Sequence, residues 1–97
     1  MTDQLFDLTG FQRDTLTVIA GLEEPSGQEV KQELEKKHDD INHGRLYPNL
    51  DALVEEEYVE KGQIDRRTNY YELTEKGEVA LVNRREWENS VVPPLGE

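Results

Sequence analysis

Residues 43–49 read His-Gly-Arg-Leu-Tyr-Pro-Asn and place together several side chains that can contact nucleic acid. An arginine such as Arg45 can make a bidentate contact to guanine or a single contact to a phosphate. Tyr47 can offer its hydroxyl group to a phosphate, and Gly44 lets another backbone come close because it has no side chain. The candidate contacts in this segment are therefore His43, Gly44, Arg45, Tyr47, Pro48 and Asn49.

An α-helix over residues 43–56 would position these groups. Its apolar residues fall on one stripe at about 100° per residue, which predicts that this side packs on a core: Leu46, Leu50, Leu53 and Val54. Asp51 and Glu55 lie opposite the stripe and would repel phosphate, so only the first turn can enter a groove. Pro48 predicts either a kink or a helix that begins later than Asn42, the best N-cap candidate. An amphipathic helix that binds nothing is the competing interpretation.

The composition limits the classes of protein that fit. With 97 residues, 34% of them hydrophobic and 34% charged, the chain can bury only a modest core, so an oligomer that hides more apolar surface is expected. The absence of cysteine excludes disulfides and thiolate metal sites. No apolar run reaches the length of a membrane span or of a signal-peptide core, which makes the cytoplasm the expected compartment.

The net charge of −11, from 22 acidic and 11 basic residues, argues at first against a polyanionic partner. Basic residues nevertheless concentrate in two windows, residues 31–50 and 61–76. The acidic excess is either a partner-binding face or an adaptation to a salt-rich cytoplasm, and its scattered distribution favours the second. At about 1 M salt the Debye length is only about 3 Å, so the self-repulsion of an acidic coat is screened.

Two capping boxes mark the starts of the earlier helices. Thr9 and Gln12 predict a helix over about residues 10–23, and Ser26 and Glu29 predict one that continues through Lys37. A turn at residues 39–42 separates it from the helix described above. The polar lead-in, residues 1–8, is expected to fray.

Two β-rich runs follow, at residues 58–64 and 68–73, and they predict a hairpin with Arg66 and Arg67 at its tip. Thr74 caps a last helix, which we expect to run to about Asn89. The predicted fold is mostly helical α+β, a winged helix-turn-helix with three N-terminal helices, a two-stranded wing and a C-terminal helix. We expect one domain over residues 1–97, with its core at 9–74, a dimerisation helix at about 75–89 and a tail at 90–97.

The last helix carries apolar residues on more than one face, so it needs a second surface to pack against. In so small a domain the same helix of a second copy is the simplest partner. The predicted dimer-interface residues are Phe6, Phe11, Val82 and Trp87.

The other polar clusters give weaker signals. Lys31, Lys36 and Lys37 can either touch the flanking DNA backbone or remain solvated, and Lys37 is kept as a candidate contact. The spacing of His38 and His43 around two aspartates matches no metal-ligand signature, so no metal or cofactor is expected. No nucleophile, phosphate loop or perturbed carboxylate supports catalysis, and we expect no enzyme.

Two runs in the chain resemble the PadR family of transcriptional regulators, and the resemblance covers residues 10 to about 82. They are Gly44-x-Leu46-Tyr47-Pro48-x-Leu50-x-x-Leu53 and Tyr70-Tyr71-x-Leu73-Thr74-x-x-Gly77. The resemblance implies a homodimer that binds double-stranded operator DNA, with the third helix in the major groove and the wing on the backbone or minor groove. The acidic composition suggests a haloarchaeal member.

This resemblance assigns Gly44, Tyr47 and Pro48 to the turn that faces the groove, and Arg66 and Arg67 to the basic wing. Arg45 stands where the family commonly has a small hydroxyl residue, so base preference does not transfer. No small-molecule ligand is evident, and the chain stops where many members continue into a longer helical region. The alternative function is a winged-helix module that binds proteins through its acidic surface.

Overall fold

Three helices precede a two-stranded antiparallel hairpin, and a fourth helix follows it, in the computed structural model, which describes residues 4–96. The elements are α1 (Gly10–Gly21), α2 (Gly27–Leu34), α3 (His43–Glu55), β1 (Val59–Asp65), β2 (Thr68–Leu73) and α4 (Glu75–Val91). This order confirms the predicted mostly helical α+β winged-helix fold.

The main boundary error concerns α2, which ends at Leu34 and not at Lys37. The chain turns there because the carboxylate of Glu35 accepts a hydrogen bond from the backbone N–H of Ile41, at 3.0 Å. This bond folds the turn back so that the Ile41 side chain enters the core. Local helical propensity therefore gives way to tertiary burial at this point.

Helix α3 packs on the core through the predicted stripe. Leu46, Leu50 and Leu53 are fully buried, and Val54 is half-buried against the same cluster. Burial of each leucine side chain contributes about 1.5–3 kcal/mol. The opposite side of the helix is consequently held toward solvent.

Pro48 does not delay the start of α3. The helix begins at His43, and the Asn42 side chain caps it by accepting from the backbone N–H of Arg45 at 2.8 Å. The predicted alternative of a later start is therefore wrong. Because Pro48 has no N–H, the carbonyl of Gly44 has no amide donor four residues on.

The lead-in does not fray over its described residues, 4–8, which is a second correction. Leu5 and Leu8 are buried in the core, and Arg13 holds their backbone: its Nη1 donates to the Leu5 carbonyl at 3.2 Å and to the Leu8 carbonyl at 2.7 Å. Residues 1–3 of the predicted lead-in, and residue 97 of the predicted tail, lie outside the described residues.

The wing is joined to the helical body by a contact that the sequence pattern does not reveal. The backbone N–H of Tyr71 donates to the Pro25 carbonyl at 2.8 Å, and Ser26 forms an isolated antiparallel bridge with Tyr70. Strand β2 thus pairs with β1 on one side and with the segment before α2 on the other. This second pairing fixes the base of the wing beside α2.

Across residues 4–96, the helices are too short or too polar to cross a membrane.

The turn between α2 and α3 should be sensitive to acid. The Ile41 amide, followed by Lys31, lowers the pKa of Glu35. A carboxyl whose pKa is depressed by folding contributes stability above its unfolded pKa and loses it as the pH falls through the folded value. We therefore expect Glu35→Gln to unfold more easily than the parent at neutral pH, with the difference shrinking below about pH 4. Urea unfolding at a series of pH values measures this, and a difference that is constant with pH would contradict it.

Candidate nucleic-acid interface

The first turn of α3 presents its predicted side chains to solvent. His43, Gly44 and Arg45 are exposed, and the His43 ring stacks on the Tyr47 ring with centroids 5.2 Å apart. Tyr47 is half-buried because its ring lies against Gly27 at the start of α2, where an added Cβ would sit 2.5 Å from the Tyr47 hydroxyl oxygen. Tyr47 is thus packed on α2 on one side, while the rest of its ring remains available to a ligand at this turn.

Arg45 lies on an aromatic surface. Its guanidinium carbon is 4.0 Å from the centroid of the Phe11 ring in α1. Stacking of this kind uses the face of the guanidinium and leaves its N–H edge free. In the part of the chain that the structure describes, that edge has no hydrogen-bonded or ion-paired partner.

Asn49 is engaged within the chain. Its Nδ2 donates to the Arg45 carbonyl at 2.7 Å, and its Oδ1 accepts from Gln12 Nε2 at 3.0 Å. The same Gln12 closes the α1 capping box by accepting from the Thr9 backbone N–H at 3.0 Å. The start of α1 and the first turns of α3 are thus tied together. Direct DNA contact by Asn49 stays a prediction.

The wing tip is a two-residue turn whose two arginine side chains have no polar partner in the described residues. The Asp65 carboxylate accepts from the backbone N–H of Arg67 at 2.9 Å, and this bond is the main cause of the lowered pKa of Asp65. Because the carboxylate caps the turn, it does not pair with either guanidinium. Arg66 and Arg67 are both exposed.

Most basic side chains in the described residues already have a polar partner within the chain. Carboxylates lie within 4.0 Å of Lys31, Lys36, Lys61 and Arg84, while backbone carbonyls accept from Arg13 and Lys76. Between residues 4 and 96 the basic side chains without one are Lys37, Arg45, Arg66, Arg67 and Arg85. Four of these five are the cations that the sequence predicted as DNA contacts. Lys61, 3.8 Å from Asp51, offsets a carboxylate on the exposed side of α3.

The predicted dimer residues occupy two different environments. Phe6 is 55% exposed, with its ring edge-on to the Trp87 ring at 4.8 Å, and Val82 is 51% exposed on α4. Phe11 is only 9% exposed and belongs to the core of its own chain, under Arg45. The structure therefore gives Phe11 an intramolecular contact, and its place in a dimer stays a prediction.

The histidines do not form a cluster with the nearby aspartates. His38 Nε2 lies 3.4 Å from a carboxylate oxygen of Asp14 in α1, while His43 stacks on α3. Among residues 4–96, no three side chains of the metal-ligating types are grouped closely enough to hold an ion.

Sequence reasoning missed the role of α1 in this interface. The capping box at Thr9 was visible, but the contact of Gln12 with Asn49 spans 37 positions and depends on how α1 and α3 pack. Nor does any local pattern place Phe11 beneath Arg45.

Comparison with known proteins gives a family match and a shared fold. The family model described as the transcriptional regulator PadR-like family matches residues 16–83. The structure of H. salinarum RosR is 46% identical with a TM-score of 0.86, over 95% of this chain and 84% of that one. A complex structure of hsRosR-S4 is 46% identical with a TM-score of 0.87, over 96% of this chain and 81% of that one.

A more distant neighbour shows the fold alone. F93 from STIV, a winged-helix DNA-binding protein, is 22% identical with a TM-score of 0.71, over 91% of this chain and 98% of that one. No curated protein sequence matches the chain.

Proposed function

Because the chain belongs to the PadR-like family and is a DNA-binding transcriptional regulator, we propose that it reads a specific operator as a homodimer. In this proposal the first turn of α3 enters the major groove, and the wing lies on the backbone or in the minor groove. The observation that carries the proposal is a set of cations whose N–H groups are free: in the described chain, the side chains of Lys37, Arg45, Arg66 and Arg67 have no hydrogen-bonded or ion-paired partner.

Unpaired cations matter most on an acidic body. Each guanidinium that neutralises a phosphate releases condensed counterions, which supplies affinity without sequence preference. Arg66 and Arg67 fit this role because they are exposed and adjacent. Arg45 fits base reading because it projects from the helix turn that can enter the groove. The exposed backbone at Gly44 and the exposed His43 ring complete the proposed contact surface.

The proposed dimer uses the apolar surface of α4 and the lead-in. Phe6, Val79 and Val82 are each at least half-exposed, and Val79 and Val82 lie one turn apart on α4. Closing a two-fold axis over this surface would hide it. Reading two half-sites in successive major grooves then requires the two α3 helices to lie about 34 Å apart. We place this activity in the cytoplasm of a salt-rich cell, in keeping with the net charge of −11 and the likeness to H. salinarum RosR.

Val82→Glu should separate the two copies. A carboxylate at a buried apolar contact is costly to desolvate, so we expect light scattering to give twice the mass of one chain for the parent and one chain for the variant. Glu86→Gln, an exposed change on the same helix, is the control. A parent mass of one chain at micromolar concentration would contradict the dimer.

Binding to duplexes from its own upstream region tests the regulatory proposal. Fluorescence anisotropy from about 0.1 M to about 1 M KCl should show tighter binding to one upstream duplex than to a random duplex of equal length. Equal affinity for both duplexes at every salt concentration would overturn it.

A further inference from the structure

Helix α1 supplies the surface that holds Arg45 in place. The guanidinium carbon of Arg45 lies 4.0 Å from the centroid of the Phe11 ring. The His38 ring also contacts Phe11, in a T-shaped arrangement with centroids 5.9 Å apart and an interplanar angle of 82°. His38 lies 3.4 Å from Asp14, also on α1. The ring under Arg45 is thus fixed by its own burial and by a neighbour from the turn after α2.

The backbone that carries Arg45 is fixed from the same helix. Gln12 Nε2 donates to Asn49, and Asn49 donates to the Arg45 carbonyl. Asn42 caps the Arg45 amide. Side chain, carbonyl and amide of one residue are therefore each held, although the side chain is exposed and has a free N–H edge.

We propose that Phe11 is a positioning residue for DNA recognition, which stacks the Arg45 guanidinium so that its N–H edge is presented to a base in one orientation. This inference rests on the proposed function, because it assigns the origin of sequence discrimination within that interface. A long arginine side chain otherwise loses rotamer freedom on binding, and a prior stack reduces that cost for the matching base. Phosphate contacts elsewhere gain nothing from it.

The test measures a specificity ratio, which is the affinity for the preferred upstream duplex divided by that for a random duplex. Phe11→Leu keeps an apolar side chain in the core but removes the aromatic face. We expect it to lower the ratio about two- to fivefold, the range of an exposed cation–π contact, with little change in random binding. Phe11→Tyr keeps the face and should retain the parent ratio.

A double-mutant cycle separates positioning from a general packing defect. In an Arg45→Ala background, Phe11→Leu should have no further effect on the ratio, because the group it positions is gone. The same loss in both backgrounds would overturn the inference while leaving the proposed function intact. No preference by the parent for any duplex would overturn both.

A measurement on the parent protein covers the case in which Phe11→Leu does not fold. Protons of the Arg45 side chain that lie over an aromatic face should be shifted upfield in the NMR spectrum, unlike those of Arg66. We expect this shift in the free protein and in its complex with the preferred duplex. Loss of the shift on binding would show that Arg45 leaves Phe11 to reach DNA and would overturn the inference.

Discussion

Replacing Arg66 and Arg67 together by alanine is expected to weaken binding to preferred and random duplexes alike, by roughly a hundredfold or more at low salt. Each lost charge-assisted contact costs about 1.5–3 kcal/mol, and about 1.4 kcal/mol corresponds to tenfold. The slope of log affinity against log salt should fall by about two, because two phosphates are no longer neutralised. The specificity ratio should change little, since the wing cations do not read bases.

A matched control removes the same charge from elsewhere. Lys36 is paired with Glu33 at 2.9 Å, and Arg85 is an unpaired, exposed cation on α4, outside the wing. The double variant Lys36→Ala with Arg85→Ala should lower affinity far less than the wing variant does. Equal losses would mean that net charge, and not the wing, controls binding. A module that binds proteins through its acidic surface would keep its partner after the wing change.

Gly77→Ala is expected to cost about 3 kcal/mol of unfolding free energy, or roughly 12–24 °C in Tm. A Cβ at Gly77 would lie 2.3 Å from the Tyr58 carbonyl oxygen and 2.7 Å from Leu73 Cδ1. That carbonyl accepts from the Thr74 backbone N–H at 3.0 Å, so it cannot move away without breaking the start of α4. Thermal and urea unfolding followed by circular dichroism measure the effect.

Gly21→Ala serves as the matched control for this prediction. It lies at the end of α1 with nothing within 4 Å of an added Cβ, so alanine should be neutral or stabilise by up to about 1 kcal/mol. A Gly77→Ala variant as stable as Gly21→Ala would show that the α4 start can shift, and would contradict the packing described above.

The Gly77 contact also explains part of the sequence motif. Thr74 donates its hydroxyl to the Glu57 carbonyl at 2.7 Å and accepts from the Gly77 N–H at 3.0 Å. Glu57 has a φ of 66°, a left-handed conformation that these bonds hold in place. Leu73-Thr74-x-x-Gly77 is therefore the joint between the wing, α4 and the end of α3.

Periodicity and capping were enough to predict most of the fold. The leucine stripe of α3, the capping boxes at Thr9 and Ser26, and the polar wing tip each depend on residues close in sequence. The errors lie where distant contacts decide: α2 stops early because Glu35 bonds Ile41, and the lead-in is ordered because Arg13 holds its carbonyls. Burial of Leu5 and Leu8 adds to that order.

The site shows the same division. The candidate cations could be chosen from local charge windows, since they sit at a turn and at a helix start. Which cations have an internal partner could not be predicted, because pairing depends on the residues that folding brings close, as with Lys61 and Asp51. The stack of Arg45 on Phe11 likewise joins residues far apart in the sequence.

A crystal structure of the protein with its preferred upstream duplex tests the central claim most directly. We expect the first turn of α3 in the major groove, with Arg45 at a base edge, and Arg66 and Arg67 against the same duplex at the wing. Two copies should lie across a two-fold axis formed at α4. A duplex bound to any other surface, with Arg45 and the wing cations left in solvent, would contradict the proposed interface.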